Sequence, residues 1–270
     1  RTGARTRGPR MLCLISATAA LRAPLLMRPC PRASAPQANF FAQFLPPPPP
    51  NPADVFDPNP TCRSPGLPNS YDEVHAAAIE GVSAALSSSL PAFEVDFPPL
   101  ASVNARGDGS AKSEMLVAEA NAAFVRKLRQ KLGSSAVVVA CSGDAARALG
   151  RDAMSLRDGA AAGVEVAIAV SPCTDEQWEA ALGLEAKKVI VVNGLLQNGV
   201  LPHAYYYKPM TAFSVQTGGV VRQFPGPYDC FNSGGERVDL EITLARQGRR
   251  ALPDTKDAQM LLQNRYGGGR

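Results

Sequence analysis

The sequence predicts an α/β fold, a three-layer sandwich with a mainly parallel central sheet and antiparallel hairpin strands towards the C-terminus. Three short runs rich in Val and Ile carry this prediction: Ala136–Ala140, Val164–Val170 and Val189–Val192. Near-continuous apolar runs are typical of strands buried on both faces of a parallel sheet. Helical periodicity lies before and between the runs, which favours βαβ repetition with right-handed crossovers.

The first 68 residues differ from the rest in charge and composition. Residues 1–60 hold seven Arg and two acidic residues, so the remaining 210 residues contribute −1 to the net charge of +4. We predict a basic, acid-poor targeting leader over residues 1–33, with a disordered basic tail as the alternative. Residues 34–68 contain five consecutive prolines and predict a disordered linker, which leaves one α/β domain over residues 69–266. A nearly neutral domain lacks the charge pattern of a nucleic-acid-binding protein.

A capping box begins the predicted domain. Ser70 and Glu73 bracket the first turn of a helix with an apolar face, which Pro91 ends. In the strand that follows, Phe93–Phe97, Glu94 and Asp96 alternate with apolar residues. Two carboxylates on one strand face could bind a metal, but we predict that they form a solvated or salt-bridged face and that the chain has no metal site.

The loop over residues 101–111 approaches a phosphate-binding pattern without matching it. The stretch Gly107–Ser113 lacks the motif's glycines, because Arg106 and Ala111 occupy their positions. A flexible loop with Ser110 as a helix cap is therefore the prediction. The next helix, Lys112–Leu132, is predicted to end at Gly133 and to bury one stripe of residues. That stripe comprises Leu116, Ala120, Phe124, Leu128 and Leu132.

Polar residues follow each of the three apolar runs. Because ligands of open α/β sheets bind outside the carboxyl ends of the strands, these residues are candidates for a ligand site. The candidates are Ser142, Asp144, Ser171 and Asn193, with Arg222 on a later strand as an anion clamp. Each is also an ordinary turn, cap or exposed-strand residue, so a structural role is the alternative.

Beyond Ser171 the chain first completes the parallel pattern and then changes to antiparallel strands. A second capping box at Thr174–Gln177 predicts a helix that buries Trp178, Ala181 and Leu182. Further on, Thr217-Gly218-Gly219 is a hairpin signal between two predicted strands. Four elements are predicted in this part: the strands Tyr205–Val215 and Val220–Phe224 on either side of that signal, an alternating strand over Arg237–Leu244, and a terminal helix over Asp254–Tyr266.

The sequence contains none of the common catalytic motifs. GxGxxG, GxSxG and HExxH are absent, and six scattered cysteines without a CxxC predict neither a zinc site nor a disulfide framework. A nucleophile pair of Cys141 or Cys173 with His203 remains open, although nothing local marks either thiol as activated. His75 is predicted to be structural. We therefore predict no catalytic residues and no cofactor.

Four stretches together resemble a plastid domain of plants and algae. They are LPNSYDE at 67–73, FEVDFPP at 93–99, YYKP at 206–209 and VVRQFPGPY at 220–228. The family has no assigned molecular function; it includes the low-photosystem-II-accumulation assembly factors and also occurs fused behind a chloroplast adenylate kinase. Two departures are Tyr228, where many members have Trp, and Cys141–Asp144, where Phe-Pro-Asp is expected and only Asp144 is retained. The family has no established catalytic residues, so the resemblance assigns none here.

The resemblance implies a non-enzymatic protein of the chloroplast stroma or the stromal face of the thylakoid. Its expected partners are photosystem assembly intermediates or thylakoid membrane proteins, with peripheral membrane association as a further expectation and no nucleic acid. Two alternatives stay open. One is a nucleotide- or phosphate-binding protein or enzyme that uses the carboxyl edge of the sheet, and the other is a stable accessory subunit of a photosynthetic supercomplex.

Overall fold

The computed structural model describes residues 62, 64–100, 111–156, 163–195, 201–212, 215–247 and 250–266. The predicted leader and the loop at 101–110, including Ser110, lie outside the described residues. Ser64 packs on the domain, although it lies within the range predicted to be a disordered linker. Ser64 is buried, its backbone N–H donates to Asp229 Oδ2 at 3.1 Å, and its hydroxyl donates to the Val221 carbonyl at 3.3 Å.

The described residues form five α-helices and eleven strands, of which the last seven strands follow one another before the final helix. The helices are α1 Tyr71–Leu86, α2 Ala111–Leu132, α3 Gly143–Leu149, α4 Asp175–Leu182 and α5 Lys256–Tyr266. The strands are β1 Ala92–Asp96, β2 Ala136–Ala140, β3 Met154–Ser155, β4 Val164–Val170, β5 Ala186–Val192, β6 His203–Ala212, β7 Val215–Gln223, β8 Asp229–Asn232, β9 Arg237–Val238, β10 Leu244–Gln247 and β11 Arg250–Pro253. None of these helices is long and apolar enough to cross a bilayer.

Nine strands form one mixed sheet in the order β3-β2-β4-β5-β1-β6-β7-β8-β9. The pairs from β3 to β6 are parallel, and those from β6 to β9 are antiparallel. The three apolar runs are neighbours as β2, β4 and β5, which confirms the predicted α/β fold with its mainly parallel centre. β1, although first in the chain, lies between β5 and β6. It therefore joins the apolar strands to the antiparallel part of the sheet.

Helices cover both faces of the sheet. One face carries a single large core beneath α1, α2 and α3, with Phe93, Phe124 and Tyr205 among its largest buried side chains. The opposite face carries two separate apolar clusters. One lies beneath α4 around Trp178 and the other beneath α5 around Leu262. The strand order places the polar face of β1 between these two clusters.

Both predicted capping boxes form, with one difference in their partners. Ser70 and Thr174 accept from the backbone N–H groups of Glu73 and Gln177, at 3.2 and 3.3 Å. The reciprocal bonds reach one residue further back than the motif requires. Glu73 Oε2 accepts from Asn69 N at 2.8 Å, and Gln177 Oε1 accepts from Cys173 N at 2.6 Å.

Two predicted helix faces are wrong at one apolar residue each. Leu116 in α2 is 45% exposed and Leu182 in α4 is 42% exposed. Phe124 and Leu128 are buried as predicted, and nearer the N-terminus of α2 the buried residues are Ala118, Asn121 and Ala122. The first helix also ends at Leu86, before the predicted stop at Pro91.

The predicted C-terminal strands need two corrections. Thr217–Gly219 lies within β7 and is not the hairpin turn, because the pairing of β6 with β7 continues beyond it to Ala212 and Val215. Close packing requires a glycine at position 218, because a Cβ on Gly218 would clash with the carbonyl oxygen of Phe231 on β8. The alternating stretch 237–244 is a strand only at β9 and at Leu244. Three of its apolar residues pack in the cluster beneath α5, namely Val238, Leu240 and Ile242, whereas Leu244 is 40% exposed.

Candidate functional site

Ser171 and Asn193 do lie together at the carboxyl edge of the sheet. They follow β4 and β5, and both adopt left-handed backbone conformations with φ of 52° and 47°. Asn193 Oδ1 accepts from the backbone N–H of Phe97 at 2.9 Å, and its Nδ2 donates to Asn121 Oδ1 at 2.7 Å. Asn121 in turn donates to Ser171 Oγ at 2.8 Å. This chain of hydrogen bonds ties β1, β5 and α2 together.

Ser142 and Asp144 have local roles at the end of β2. Ser142 caps α3 by accepting from the N–H of Ala145 at 3.1 Å. Asp144 forms an exposed ion pair with Arg147 at 3.0 Å, one helical turn away. No hydrogen bond among the described residues joins either side chain to Ser171 or Asn193. The four edge candidates therefore do not converge on one site.

Arg222 lies elsewhere, and it is not the exposed strand residue that the structural alternative assumed. Its side chain is 2% exposed on β7. Its Nη1 donates to the Tyr228 hydroxyl at 3.1 Å, and the guanidinium carbon stands 4.8 Å from the centre of the Tyr228 ring. Burial lowers the pKa of Arg222, and the contact with Tyr228 partly offsets that effect. Arginine remains cationic in such surroundings.

Arg222 belongs to a buried group that we call the polar cluster. This group lies on the sheet face between the two apolar clusters, and its members come from β1, β6, β7 and the residue just before β8. The register aligns Asp96 with Tyr206 and Tyr206 with Arg222 across neighbouring strands. The members are Glu94, Asp96, His203, Tyr206, Arg222 and Tyr228.

A β-bulge at the start of β6 makes this convergence possible. Glu94 pairs with His203 while the next residue, Val95, pairs with Tyr205, so Ala204 is the extra residue. Both Ala204 and Tyr205 face the large core. His203 and Tyr206 therefore both point to the polar face, although they are three residues apart. Bulges commonly redirect side chains in this way.

Short contacts connect His203 to its neighbours. Its Nδ1 lies 2.7 Å from the Tyr228 hydroxyl, and its Nε2 lies 3.6 Å from Glu94 Oε2. The ring also packs edge-to-face on Tyr206, with centroids 5.0 Å apart, and Tyr206 packs in the same way on Tyr228 at 5.6 Å. The imidazole is thus fixed in position from three sides.

The face of β1 that carries the two acidic residues was predicted to be solvated or salt-bridged; it is not solvated, and Glu94 lies within ion-pair distance of His203. Glu94 is 1% exposed and Asp96 is half-buried. One ligand atom from each of Glu94, Asp96 and His203 lies within 4.8 Å of the others, which makes this the part of the described chain able to hold a metal ion. The alternation on β1 indicated their common face. No pattern in the sequence indicated that His203 would meet them there.

Cys141 and Cys173 show no sign of activation. Burial raises the pKa of the Cys141 thiol to about 12 and also raises that of Cys173. A nucleophilic cysteine requires the opposite shift. The ring nitrogens of His203 face Tyr228 and Glu94, so the arrangement does not favour a pair with either thiol.

His75, on α1, has the structural surroundings that the sequence predicted. Its ring packs against Phe97 and Phe124, with centroids 5.7 and 5.2 Å away. Lys127 Nζ lies 3.3 Å from His75 Nδ1. Burial first, and then the charge of Lys127, lower the pKa of His75, with Asp72 opposing them.

No family model, curated protein or solved structure matches this chain.

Proposed function

We propose that this chain is a plastid protein that assists the assembly or accumulation of photosystem II through protein–protein contacts and without catalysis. It acts in the stroma or on the stromal face of the thylakoid membrane. The proposal rests on the resemblance of four sequence stretches to the plastid assembly-factor family. The structural observation that carries it is that these four stretches, although far apart in sequence, contact one another.

The contacts connect the stretches in turn. The Tyr71 hydroxyl of the first donates to the Pro98 carbonyl of the second at 2.7 Å. Asp96 of the second is in register with Tyr206 of the third, and Tyr206 with Arg222 of the fourth. Leu67 of the first packs on the large core. The four stretches are therefore parts of one packed unit, as the resemblance to a single domain requires.

The polar side chains at the carboxyl edge of the sheet favour a structural role for that edge over a catalytic one. Ser171 and Asn193 are linked through Asn121, Ser142 caps a helix and Asp144 pairs with Arg147. Side chains held in this way maintain the fold and offer a ligand fewer hydrogen-bonding groups. The edge therefore favours docking over the alternative of nucleotide or phosphate binding.

Isolation of partners from plastids tests the proposal. The full chain with an affinity tag is expressed in a plastid-containing host and purified under mild detergent, and bound proteins are identified by mass spectrometry. We expect photosystem II assembly intermediates in less than stoichiometric amount. Stoichiometric retention in mature photosystem would favour the accessory-subunit alternative. Recovery of free protein alone, with normal photosystem II in a deletion strain, would contradict the proposal.

Thermal unfolding tests the alternative that the chain is a nucleotide- or phosphate-binding protein. The chain is mixed with ATP, GTP and inorganic phosphate in turn, because a ligand that binds only the folded state raises Tm. We expect no shift. A shift that is lost in Asn193→Ala and Asp144→Ala would instead assign a ligand to the carboxyl edge and count against the docking function.

A further inference from the structure

The separation between His203 and Glu94 fits two ligands of one metal ion. The Nε2–Oε2 distance of 3.6 Å is longer than a hydrogen bond. Two donor atoms that each lie about 2.1 Å from one ion stand about 3.0 Å apart at an octahedral angle and about 3.6 Å apart at a trigonal angle. With Asp96, all three ligand atoms lie within 4.8 Å of one another. One ion could therefore contact all three after small rotations of the side chains.

The orientation of His203 is the one a metal ligand requires. Histidines that bind metals usually engage their second ring nitrogen with a hydrogen-bonding partner, which fixes both ring and tautomer. Here that partner is Tyr228, whose hydroxyl lies 2.7 Å from Nδ1 and also accepts from Arg222. When Nδ1–H donates to Tyr228, the lone pair on Nε2 faces Glu94. Edge-to-face packing on Tyr206 holds the ring in that plane.

The burial and charge of the group favour a cation. Glu94 and His203 are 1% and 2% exposed, so two carboxylates sit in or beside a water-poor region. Buried carboxylates require compensating positive charge. With His203 neutral, as a metal ligand must be, the charges of Glu94, Asp96, His203 and Arg222 sum to −1. A divalent ion would reverse that excess and bind both carboxylates directly.

We propose that Glu94, Asp96 and His203 form a binding site for one divalent transition-metal ion of the Zn²⁺ or Mn²⁺ class. Two carboxylate oxygens and one imidazole nitrogen are a donor set that these ions accept, whereas Mg²⁺ prefers oxygen ligands and retains its waters. Three protein ligands leave further coordination positions for water or a partner's side chain. The ion bridges β1 and β6, because Glu94 and Asp96 come from one strand and His203 from the other.

The test is metal binding by the full chain after it has been stripped with a chelator. ZnCl₂, MnCl₂ and MgCl₂ are added separately, and metal content after desalting and thermal unfolding are measured. We expect one equivalent of Zn²⁺ or Mn²⁺, and a Tm increase of about 5–10 °C when the free metal is a hundredfold above its Kd. Mg²⁺ should give a smaller shift. Failure of both Zn²⁺ and Mn²⁺ to bind would overturn the proposal.

Variants assign the bound ion to these residues. We expect His203→Gln and Asp96→Asn each to weaken binding at least about 10–100-fold, the range seen when metal-site groups are altered. His75→Gln is the matched control, because it removes the other histidine of the chain and should leave the affinity unchanged. Equal binding by His203→Gln and the parent chain, or loss of binding in Cys141→Ser, would place the ion elsewhere and overturn the assignment.

A spectroscopic measurement keeps the test decisive if His203→Gln fails to fold. The Mn²⁺ complex of the parent chain is examined by pulsed electron paramagnetic resonance for coupling to a histidine nitrogen. A single coupled imidazole supports the site. A Mn²⁺ complex without nitrogen coupling, or one with the same coupling in Asp96→Asn at the same affinity, contradicts it.

Discussion

The two halves of the sheet are stabilised by different interactions. The strands β2, β4 and β5, which we call the apolar half, have continuous Val- and Ile-rich sequences and contact apolar side chains on both faces. The strands β1, β6 and β7, the polar half, share the large core on one face but carry the polar cluster on the other. Burial alone determines the first half. The second half also depends on hydrogen bonds and charges that must be matched.

The largest expected loss of stability tests whether burial of apolar side chains stabilises the apolar half. Ile190 on β5 is fully buried, so Ile190→Ala should lower the free energy of unfolding by about 2–5 kcal/mol, through lost transfer energy and a cavity. Urea unfolding followed by circular dichroism measures it. Leu182→Ala is the control: this exposed residue should change stability by no more than about 0.5 kcal/mol. Similar losses in both variants would break the comparison.

A smaller loss should come from removing one hydroxyl in the polar half. Tyr228→Phe deletes the oxygen that contacts both His203 and Arg222, and should cost about 1–3 kcal/mol because buried polar groups lose a partner. Tyr207→Phe is the matched control, since its hydroxyl bonds only the exposed Gln216 at 3.0 Å. The same denaturant assay compares them. An equal cost for both would mean that the polar cluster contributes no more than a surface contact.

The third prediction separates backbone from side chain at the edge between the halves. Asn193→Ala and Asn193→Gly both lose the bonds to Phe97 and Asn121. Only alanine also carries a Cβ at φ of 47°, which should make it about 1 kcal/mol less stable than the glycine variant. The difference in unfolding midpoint measures it. An alanine variant at least as stable as the glycine variant would show that the left-handed backbone costs nothing.

The smallest effect is a pH dependence on the opposite face of the sheet. The pKa of His75 is lowered by burial and by Lys127, while Asp72 opposes the shift and Tyr71 packs edge-on at 6.1 Å. The unfolded chain therefore binds the proton more readily, so stability is complete above about pH 6.5 and falls as the pH drops through and below that value. His75→Gln should make the loss between pH 7 and pH 5 shallower. An unchanged slope would mean that His75 is not buried as its packing indicates.

Much of the apolar half could be predicted from sequence because its signals are local. A run such as Val164–Val170 is buried on both faces whatever lies around it, and a capping box such as Ser70–Glu73 acts within one turn. Ser171 and Asn193 were placed at the right edge by the same logic. Their hydrogen bonds through Asn121 were not predictable, because a single polar residue in a helix gives no sign of its partner.

The polar half could not be predicted in the same way because its site depends on distant register. Alternation put Glu94 and Asp96 on one face of β1 but could not tell whether that face meets water. The orientation of His203 depends on an extra residue at Ala204, which no local pattern marks. Gly218 is typical of a turn in sequence, whereas the structure uses it where two strands approach closely.

The position of β1 has a consequence for the order in which the protein can fold. Val95 pairs with Val192 on β5 and with Tyr205 on β6. β1 is synthesised before both of these strands, so it can pair only after they have been synthesised. Contacts this far apart in sequence slow folding, and an unpaired strand edge invites association with other chains. During vectorial synthesis or import, β1 would emerge long before β6. We therefore expect the half-emerged chain to depend on chaperones until its last third is available.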